Sequence, residues 1–264
     1  MDLGIQGKVA LVAGASKGMG RAAAELLARE GCRVAVAALE RDQDSIDEAV
    51  AGITEAGGEA IGVAADFTDG GQVERAVAKV TKELGSPDIA IANVDGPGAG
   101  SFDEVSDESF VKALSNMTMS VVYLARAVVP HMREQGWGRI IAMNSMGAKE
   151  PEGGRVMVSP ARAAVVALNK SLSDELACDG ITVNSIGTGW FSTDRMLAGY
   201  AARAEQRGVT LDEVLAELTA TFPARRLGKP EEMAAVLAFL CSQGAAYITG
   251  EFINVDGGYH RSAF

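Results

Sequence analysis

Seven short runs of apolar, often β-branched residues alternate with longer amphipathic segments along almost the whole chain. The runs cover residues 9–13, 34–38, 60–65, 89–92, 139–143, 182–186 and 252–255. Runs of this length and composition are typical of buried strands. Because strands that are separated by helical segments usually pair in parallel, the alternation predicts an α/β fold whose parallel sheet is covered on both faces.

The segments between these runs have the apolar spacing of helices. They cover residues 19–29, 45–55, 72–84, 110–134, 155–177 and 231–242, and several of them end at a glycine. The chain contains no low-complexity linker and no internal repeat. We therefore expect one domain over residues 1–264, built on a single doubly wound sheet of about seven strands.

The composition limits the kinds of molecule that the protein is expected to bind. A net charge of −11 disfavours nucleic-acid binding, which needs clustered lysine and arginine, and leaves small molecules as the expected substrates. No apolar run is long enough to cross a membrane, and residues 1–7 do not resemble a signal segment. We expect a soluble, cytoplasmic protein without a membrane partner. Cys32, Cys178 and Cys241 lack metal-site spacing and are expected to be small buried residues.

The alternation of strands and helices is interrupted at residues 190–229, which we call the helical insertion. Two helices are predicted there, near residues 196–206 and 211–221. The insertion follows the carboxyl end of a strand, which is where ligands of such sheets bind, so it is predicted to be a substrate lid. An oligomer contact or a surface decoration is the alternative.

A glycine-rich turn follows the first predicted strand directly and opens the first helix. It reads Gly14-Ala15-Ser16-Lys17-Gly18-Met19-Gly20. Glycines at such a turn let the backbone approach a pyrophosphate, and the N-terminus of the helix favours the anion. The turn therefore predicts a dinucleotide-binding site.

The spacing of this turn resembles that of the short-chain dehydrogenase/reductase family, and of its 3-oxoacyl-ACP reductases in particular. The resemblance extends to Asp66, Asn93, Ser145 and the closing Asp256-Gly257-Gly258. It implies a Rossmann-like fold, a nicotinamide cofactor and a homo-oligomer, a tetramer or a dimer, that pairs two long helices. Cofactor contacts are expected from Gly14, Ser16, Lys17, Gly18, Met19, Gly20, Arg41, Asp66, Phe67, Asn93, Arg162, Gly189 and Thr193.

The choice between NADP and NAD depends on the side chains that meet the adenosine ribose at the end of the second strand. Ala38 and Leu39 occupy the expected positions, and neither can bond a hydroxyl or a phosphate. Arg41, counted back from the next helix, and Lys17 favour the 2'-phosphate of NADP. Glu40 would suit NAD instead. On balance the residues favour NADP(H) over NAD(H).

The catalytic residues that the resemblance implies are a serine, a tyrosine, a lysine and a helix asparagine. Ser145 fits the serine, but Val158 stands thirteen residues later where the tyrosine is expected, and Arg162 stands where the lysine is expected. The asparagine position falls on Met117, with Asn116 one residue early. Ser145, Arg162 and Asn116 are therefore the predicted catalytic residues, and the proton donor must come from elsewhere.

Several side chains could replace the missing tyrosine as proton donor. Tyrosine, lysine, glutamate or histidine could do so, or a bound water could; the candidate side chains are Tyr123, Lys149, Glu152, Tyr200, Tyr259 and His260. The loop after the fourth strand also departs from the family, because it reads Ala92-Asn93-Val94-Asp95 in place of Asn-Asn-Ala-Gly.

Three functions are compatible with this pattern. The leading hypothesis is an NADP(H)-dependent oxidoreductase that acts on a carbonyl or an alcohol by a divergent route. The second is a non-redox lyase, cyclase or isomerase in which Ser145 and Arg162 stabilise an oxyanion. The third is a catalytically silent subunit that binds a nucleotide.

Overall fold

A seven-stranded parallel sheet forms the centre of the molecule, as predicted. The computed structural model describes residues 2–94 and 96–262, so that Asp95 of the loop noted above lies outside the described residues. The strands are Val9–Ala13 (β1), Arg33–Ala38 (β2), Glu59–Ala64 (β3), Ile89–Ala92 (β4), Gly138–Ser145 (β5), Ile181–Thr188 (β6) and Phe252–Val255 (β7). Their order across the sheet is β3-β2-β1-β4-β5-β6-β7.

The helices of the described chain occupy the segments in which the sequence predicts them. They are Gly18–Arg29 (α1), Gln43–Glu55 (α2), Gly70–Glu83 (α3), Asp107–Gln135 (α4), Val158–Leu176 (α5), Asp194–Arg207 (α6), Leu211–Thr219 (α7) and Pro230–Cys241 (α8). Helices α6 and α7 lie in the helical insertion. None of the helices in the described ranges is long and apolar enough to span a bilayer.

The side chains of β1 show why the sheet needs helices on both faces. Ala10 and Val12 pack into one core with residues of α1, α2 and α8, whereas Val9, Leu11 and Ala13 pack into a second core with α3, α4 and α5. Successive side chains of a strand point to opposite faces, so a strand that is apolar throughout must be covered twice. All five residues of β1 are buried.

The start of α5 differs from the prediction. The apolar spacing suggested a helix from residue 155, but the first helical residue is Val158. Gly154 has a positive φ of 72°, and the next residue, Arg155, forms a parallel bridge with Gly100. This pairing holds residues 155–157 in a turn, and it places Arg155 and Val158 at the carboxyl edge of the sheet.

Two crossover connections of the sheet start at neighbouring strands, β1 and β4. From β1 the chain proceeds outward to β2 and β3, and then returns to pair β4 with the other side of β1. The loops after β1 and β4 therefore leave the sheet in opposite directions and open a crevice between them. Ligands of doubly wound sheets bind at such a point.

One of the three cysteines is exposed, although the sequence predicts that all three are buried. All three are free thiols, but Cys178 is exposed, whereas Cys32 and Cys241 are buried. Burial raises the pKa of Cys32 to about 12 and also raises that of Cys241. Because the thiolate is the reactive form, we expect one thiol per native chain to react with a disulfide reagent and three in denaturant. Cys178→Ser should remove the native reaction, and labelling of Cys32 or Cys241 in the folded protein would contradict the structure.

Candidate active site

The glycine-rich turn after β1 is closed by a backbone contact with the loop after β4. The side-chain amide of Asn93 donates to the carbonyl oxygen of Gly14 at 3.1 Å. A Cβ atom on Gly14 would collide with the carbonyl oxygen of Asn93, and one on Gly20 would collide with the carbonyl oxygen of Gly14. Gly14 also has a positive φ of 60°. Both glycines are therefore required by close packing, and Gly14 is required by its conformation as well.

The N-terminus of α1 points into this turn. Gly18 is its first residue, Met19 follows in the first turn, and Ser16 just before the helix is buried. Lys17 is the N-cap residue, but no side chain caps the helix, and the first turn contains no acidic residue. Free amide groups at a helix N-terminus that is approached by glycines are suited to a phosphate group. The turn therefore fits the pyrophosphate of a dinucleotide.

The segment after β6 lies over the same turn. Thr193 caps α6 by accepting a hydrogen bond from the amide of Met196. A Cβ atom on Gly18 would lie 3.2 Å from Cγ2 of Thr193, so the two residues are in contact range. Gly189 packs against Asp256, where its own Cβ would approach the Cα atom to 2.6 Å. The structure thus brings Gly18, Gly189 and Thr193 to one edge of the sheet.

A cluster of charges marks the end of β2. The carboxylate of Asp42 lies 3.5 Å from Nζ of Lys17 and 3.9 Å from Nε of Arg41. Arg41 is 72% exposed in its side chain. The sequence interpretation singled out Glu40 and missed Asp42. The sequence could have indicated Asp42 by its position, one residue after Arg41 and just before α2.

The remaining predicted residues at this end have local partners. Asp66 accepts hydrogen bonds from the amide and the hydroxyl of Thr68, both at 2.8 Å. Phe67 is 4% exposed and packs in the core against the sheet. Its side chain is thus committed to the core, and a cofactor contact of Phe67 would have to come from its backbone.

Ser145 is the last residue of β5 and lines a cavity of about 100 Å³. Its hydroxyl oxygen accepts a hydrogen bond from the amide of Gly147 at 3.2 Å. The lining consists of the ends of β5 and β6, the loop after β5 and the first residue of α5: Ser145, Met146, Gly147, Glu152, Arg155, Val158, Thr188, Gly189 and Trp190. Val158 is 7% exposed, so an apolar side chain forms the wall beside the serine.

Two charged residues of this cavity were not assigned together from the sequence. Nε of Arg155 lies 3.0 Å from a carboxylate oxygen of Glu152, and both side chains are about one-third exposed. Glu152 was considered as a proton donor, but Arg155 was predicted to be an ordinary helical residue. The pairing of Arg155 with Gly100 brings its side chain to the cavity, and this long-range contact has no signal in the sequence.

A second, larger cavity of about 440 Å³ lies between the end of β6 and α6. It is lined by Trp190, Thr193, Arg195, Met196, Gly199, Tyr200 and Arg203. Trp190 lines both cavities, so the two cavities lie beside each other. The ring of Trp190 contacts Tyr200 edge to face, with 6.0 Å between centroids, and stacks on Phe222 at 6.4 Å.

Arg162 and Asn116, the other two predicted catalytic residues, do not line either of these two cavities. Nη1 of Arg162 donates to the carbonyl oxygen of Met143 at 3.1 Å, two residues before Ser145, and its guanidinium approaches Gly96 in the loop after β4. Asn116 is half-buried on α4, whereas its neighbour Met117 is buried in the core. No contact joins Asn116 to Ser145 among the described residues, and its catalytic role stays a prediction.

Comparison with known proteins decides the family. A family model described as Enoyl-(Acyl carrier protein) reductase matches residues 14–260. The chain is 34% identical to the 3-oxoacyl-[acyl-carrier-protein] reductase FabG of Vibrio cholerae over 98% of its own length and 99% of the relative. The chain belongs to the short-chain dehydrogenase/reductase family.

Two further proteins are similar over nearly their whole length. Cyclohexanol dehydrogenase of a Rhodococcus species is 35% identical, with 97% of each chain covered. The crystal structure of L-sorbose reductase from Gluconobacter frateurii, in complex with NADPH and L-sorbose, superimposes with a TM-score of 0.95 at 32% identity, covering 99% of this chain and 100% of that one.

The close packing at Gly20 gives a prediction for this family's turn. Gly20→Ala should weaken the binding of NADPH by about tenfold or more, equal to about 1.4 kcal/mol, because the new methyl group must displace the carbonyl of Gly14. Calorimetric titration measures the effect. Gly52→Ala is the matched control, since a Cβ atom there meets only Arg21 at 3.7 Å. Unchanged affinity in a folded Gly20→Ala protein would contradict the assignment of the turn.

Proposed function

We propose that this chain is an NADP(H)-dependent oxidoreductase that interconverts a carbonyl and an alcohol in the Ser145 cavity by a divergent route. One observation carries the proposal. The lining continues from Ser145 through Gly189 and Trp190 to Thr193, which lies beside Gly18 of the glycine-rich turn. A dinucleotide whose pyrophosphate lies on that turn can therefore extend toward the serine along one edge of the sheet.

Ser145 is the residue proposed to hold the substrate oxygen. Its hydroxyl oxygen already accepts the amide hydrogen of Gly147, which leaves its own proton available for donation to a carbonyl. A bound nicotinamide supplies the hydride. Arg162 is proposed to hold the ribose or an anionic group of the cofactor, because its guanidinium lies between the ends of β4 and β5.

The route is divergent because Val158 cannot carry a proton. Its side chain lines the cavity beside Ser145, in the position at which the family resemblance implies a tyrosine. Losing a positioned general acid slows a reaction by roughly 10² to 10⁴, while binding and orientation can persist. A reductase with this wall therefore needs a donor from another part of the site.

The preference for NADP(H) is supported by the two cations at the end of β2. Lys17 and Arg41 both lie within 4 Å of Asp42, and both could exchange this carboxylate for a 2'-phosphate. The structural relative in complex with NADPH is consistent with this choice. We further propose that the helical insertion acts as a lid over the substrate, because α6 forms one wall of the larger cavity.

Calorimetric titration with NADPH, NADP, NADH and NAD tests the cofactor first. Turnover is then measured as loss of dihydronicotinamide absorbance with L-sorbose, cyclohexanone or a 3-oxoacyl thioester, which represent the activities of the similar proteins. Failure to bind any of the four nucleotides would overturn the proposal. Tight binding without turnover on any probe would favour a nucleotide-binding subunit instead.

The proposed contact between Arg41 and the 2'-phosphate of NADP(H) gives a testable prediction. Arg41→Ala should weaken NADPH by roughly tenfold or more and NADH much less, because a charge-assisted hydrogen bond contributes about 1.5–3 kcal/mol. Asp42→Asn should favour NADPH further, since it removes a competing anion. Arg29→Ala, at the distant end of α1, is the control. Equal losses for both cofactors would remove the assignment.

A second prediction restores the pair of side chains that the resemblance implies. Val158→Tyr together with Arg162→Lys should raise the rate of ketone reduction about tenfold or more, because a positioned phenol next to a cation can donate a proton. Val158→Phe with Arg162→Lys supplies the ring without the hydroxyl and is the matched control. If the tyrosine pair reduces no faster than this control while it still binds the cofactor, the site is not arranged for hydride transfer.

Oligomerisation through α4 and α5 is also part of the proposal. Val111 on α4 is 64% exposed, and Phe102 in the preceding loop is 82% exposed. Large apolar side chains at the surface are typical of protein contacts. Light scattering of the purified protein distinguishes a monomer from a dimer or a tetramer.

A further inference from the structure

The proton donor can be identified by elimination among the residues that line the two cavities. Hydroxyl, carboxyl, guanidinium, indole and phenol groups are present there: Ser145, Thr188, Thr193, Glu152, Arg155, Arg195, Arg203, Trp190 and Tyr200. Aliphatic hydroxyls and indole are much weaker acids than phenol. Guanidinium groups have pKa values above roughly 12 and keep their proton. A carboxyl group and a phenol are the two candidates left.

Glu152 is excluded by its ion pair. Nε of Arg155 lies 3.0 Å from its carboxylate, so this group is already occupied by a charged partner. Tyr200 is thus the one remaining acidic group among the described residues that line the two cavities.

We propose that Tyr200, on α6 of the helical insertion, donates the proton to the substrate oxygen that Ser145 holds. This inference rests on the proposed oxidoreductase function and names the group that replaces the family's tyrosine on α5. The ring of Tyr200 lines the larger cavity and contacts Trp190, which lines both cavities. Tyr200 also lies close enough to Arg155 and Glu152 of the Ser145 cavity to interact with their charges. Its hydroxyl makes no hydrogen bond to any described residue, so it is available to a ligand.

The charges around Tyr200 support the same role. Burial raises the pKa of Tyr200 above its ordinary value of about 10, Arg203 and Arg155 act in the opposite direction, and Glu152 and Tyr259 add to the increase. Arg195 lines the same cavity. Cations that stabilise a phenolate are what a phenolic acid needs after it has released its proton.

The chemical step balances without a further reactant. The carbonyl carbon receives a hydride, and thus two electrons, from the reduced nicotinamide, which is oxidised. The C=O π bond breaks, and the oxygen forms an O–H bond with the proton of Tyr200. The phenolate that results is stabilised by Arg203 and regains its proton from solvent, to which the cavity beside α6 is open. The reverse sequence oxidises an alcohol.

A double-mutant cycle tests this role. Tyr200→Phe should lower kcat by roughly 10² to 10⁴ in the parent protein, with the Kd of NADPH unchanged, because the phenol is removed and the ring stays. In the Val158→Tyr and Arg162→Lys background, the same substitution should have little effect, since a second donor is present. Tyr247→Phe is the control, because Tyr247 is fully exposed and lines neither cavity.

The outcomes separate this inference from the proposed function. A parent that reduces none of the probes would overturn both. A parent that reduces a probe while Tyr200→Phe retains its rate would overturn the inference alone. An equal loss in both backgrounds, or a loss that is explained by weaker NADPH binding, would give Tyr200 a structural role and also overturn it.

The pH dependence of kcat supplies an independent readout. A donor works while it is protonated, so ketone reduction should be level through neutral pH and fall only as the pH rises above about 10, where phenols ionise. An absorbance titration of tyrosine in the parent and in Tyr200→Phe should assign an ionisation above pH 10 to Tyr200. A loss of kcat centred near neutral pH would identify a different acid.

Discussion

The approach of two loops at the middle of the sheet determines where chemistry can occur in this molecule. The carbonyl of Gly14 is held between Gly20 and the amide of Asn93, and neither glycine has room for a Cβ atom. This contact fixes the N-terminus of α1 against the ends of β1 and β4. Every other part of the candidate site is positioned relative to that point, because parallel strands present all their carboxyl ends to the same edge.

The sequence predicted the parts of the structure that depend on local periodicity. Strands such as β1 and β4 have the predicted bounds, since a strand buried on both faces is apolar at every residue. The start of α5 was misplaced because the bridge between Arg155 and Gly100 overrides helical spacing. The position of Asp42 just before α2 was visible in the sequence, but its pairing with Lys17 was not, because the two residues are 25 positions apart.

The chemistry of the Ser145 cavity could be predicted only in part. The sequence predicts Ser145 at the end of β5. It also shows that Val158 stands where the family resemblance implies a proton-donating tyrosine. What surrounds them depends on the helical insertion, whose side chains reach the edge of the sheet through tertiary packing. Trp190 and Tyr200 contact across ten residues of sequence, and no periodic pattern specifies such an edge-to-face pair. Although the chain has a net charge of −11, three arginines line the two cavities.

The position of Trp190 beside both cavities provides a fluorescent reporter of ligand binding. Of the protein's two tryptophans, Trp190 lines both cavities, whereas Trp137 lies against Lys8 and Arg139 with 4.3 Å from each cation to the ring. Emission from Trp190 overlaps the absorption of a reduced nicotinamide, so occupancy of either cavity can be followed by quenching or energy transfer. Trp137 provides a constant background, and a stopped-flow trace could time the arrival of each ligand without an attached dye.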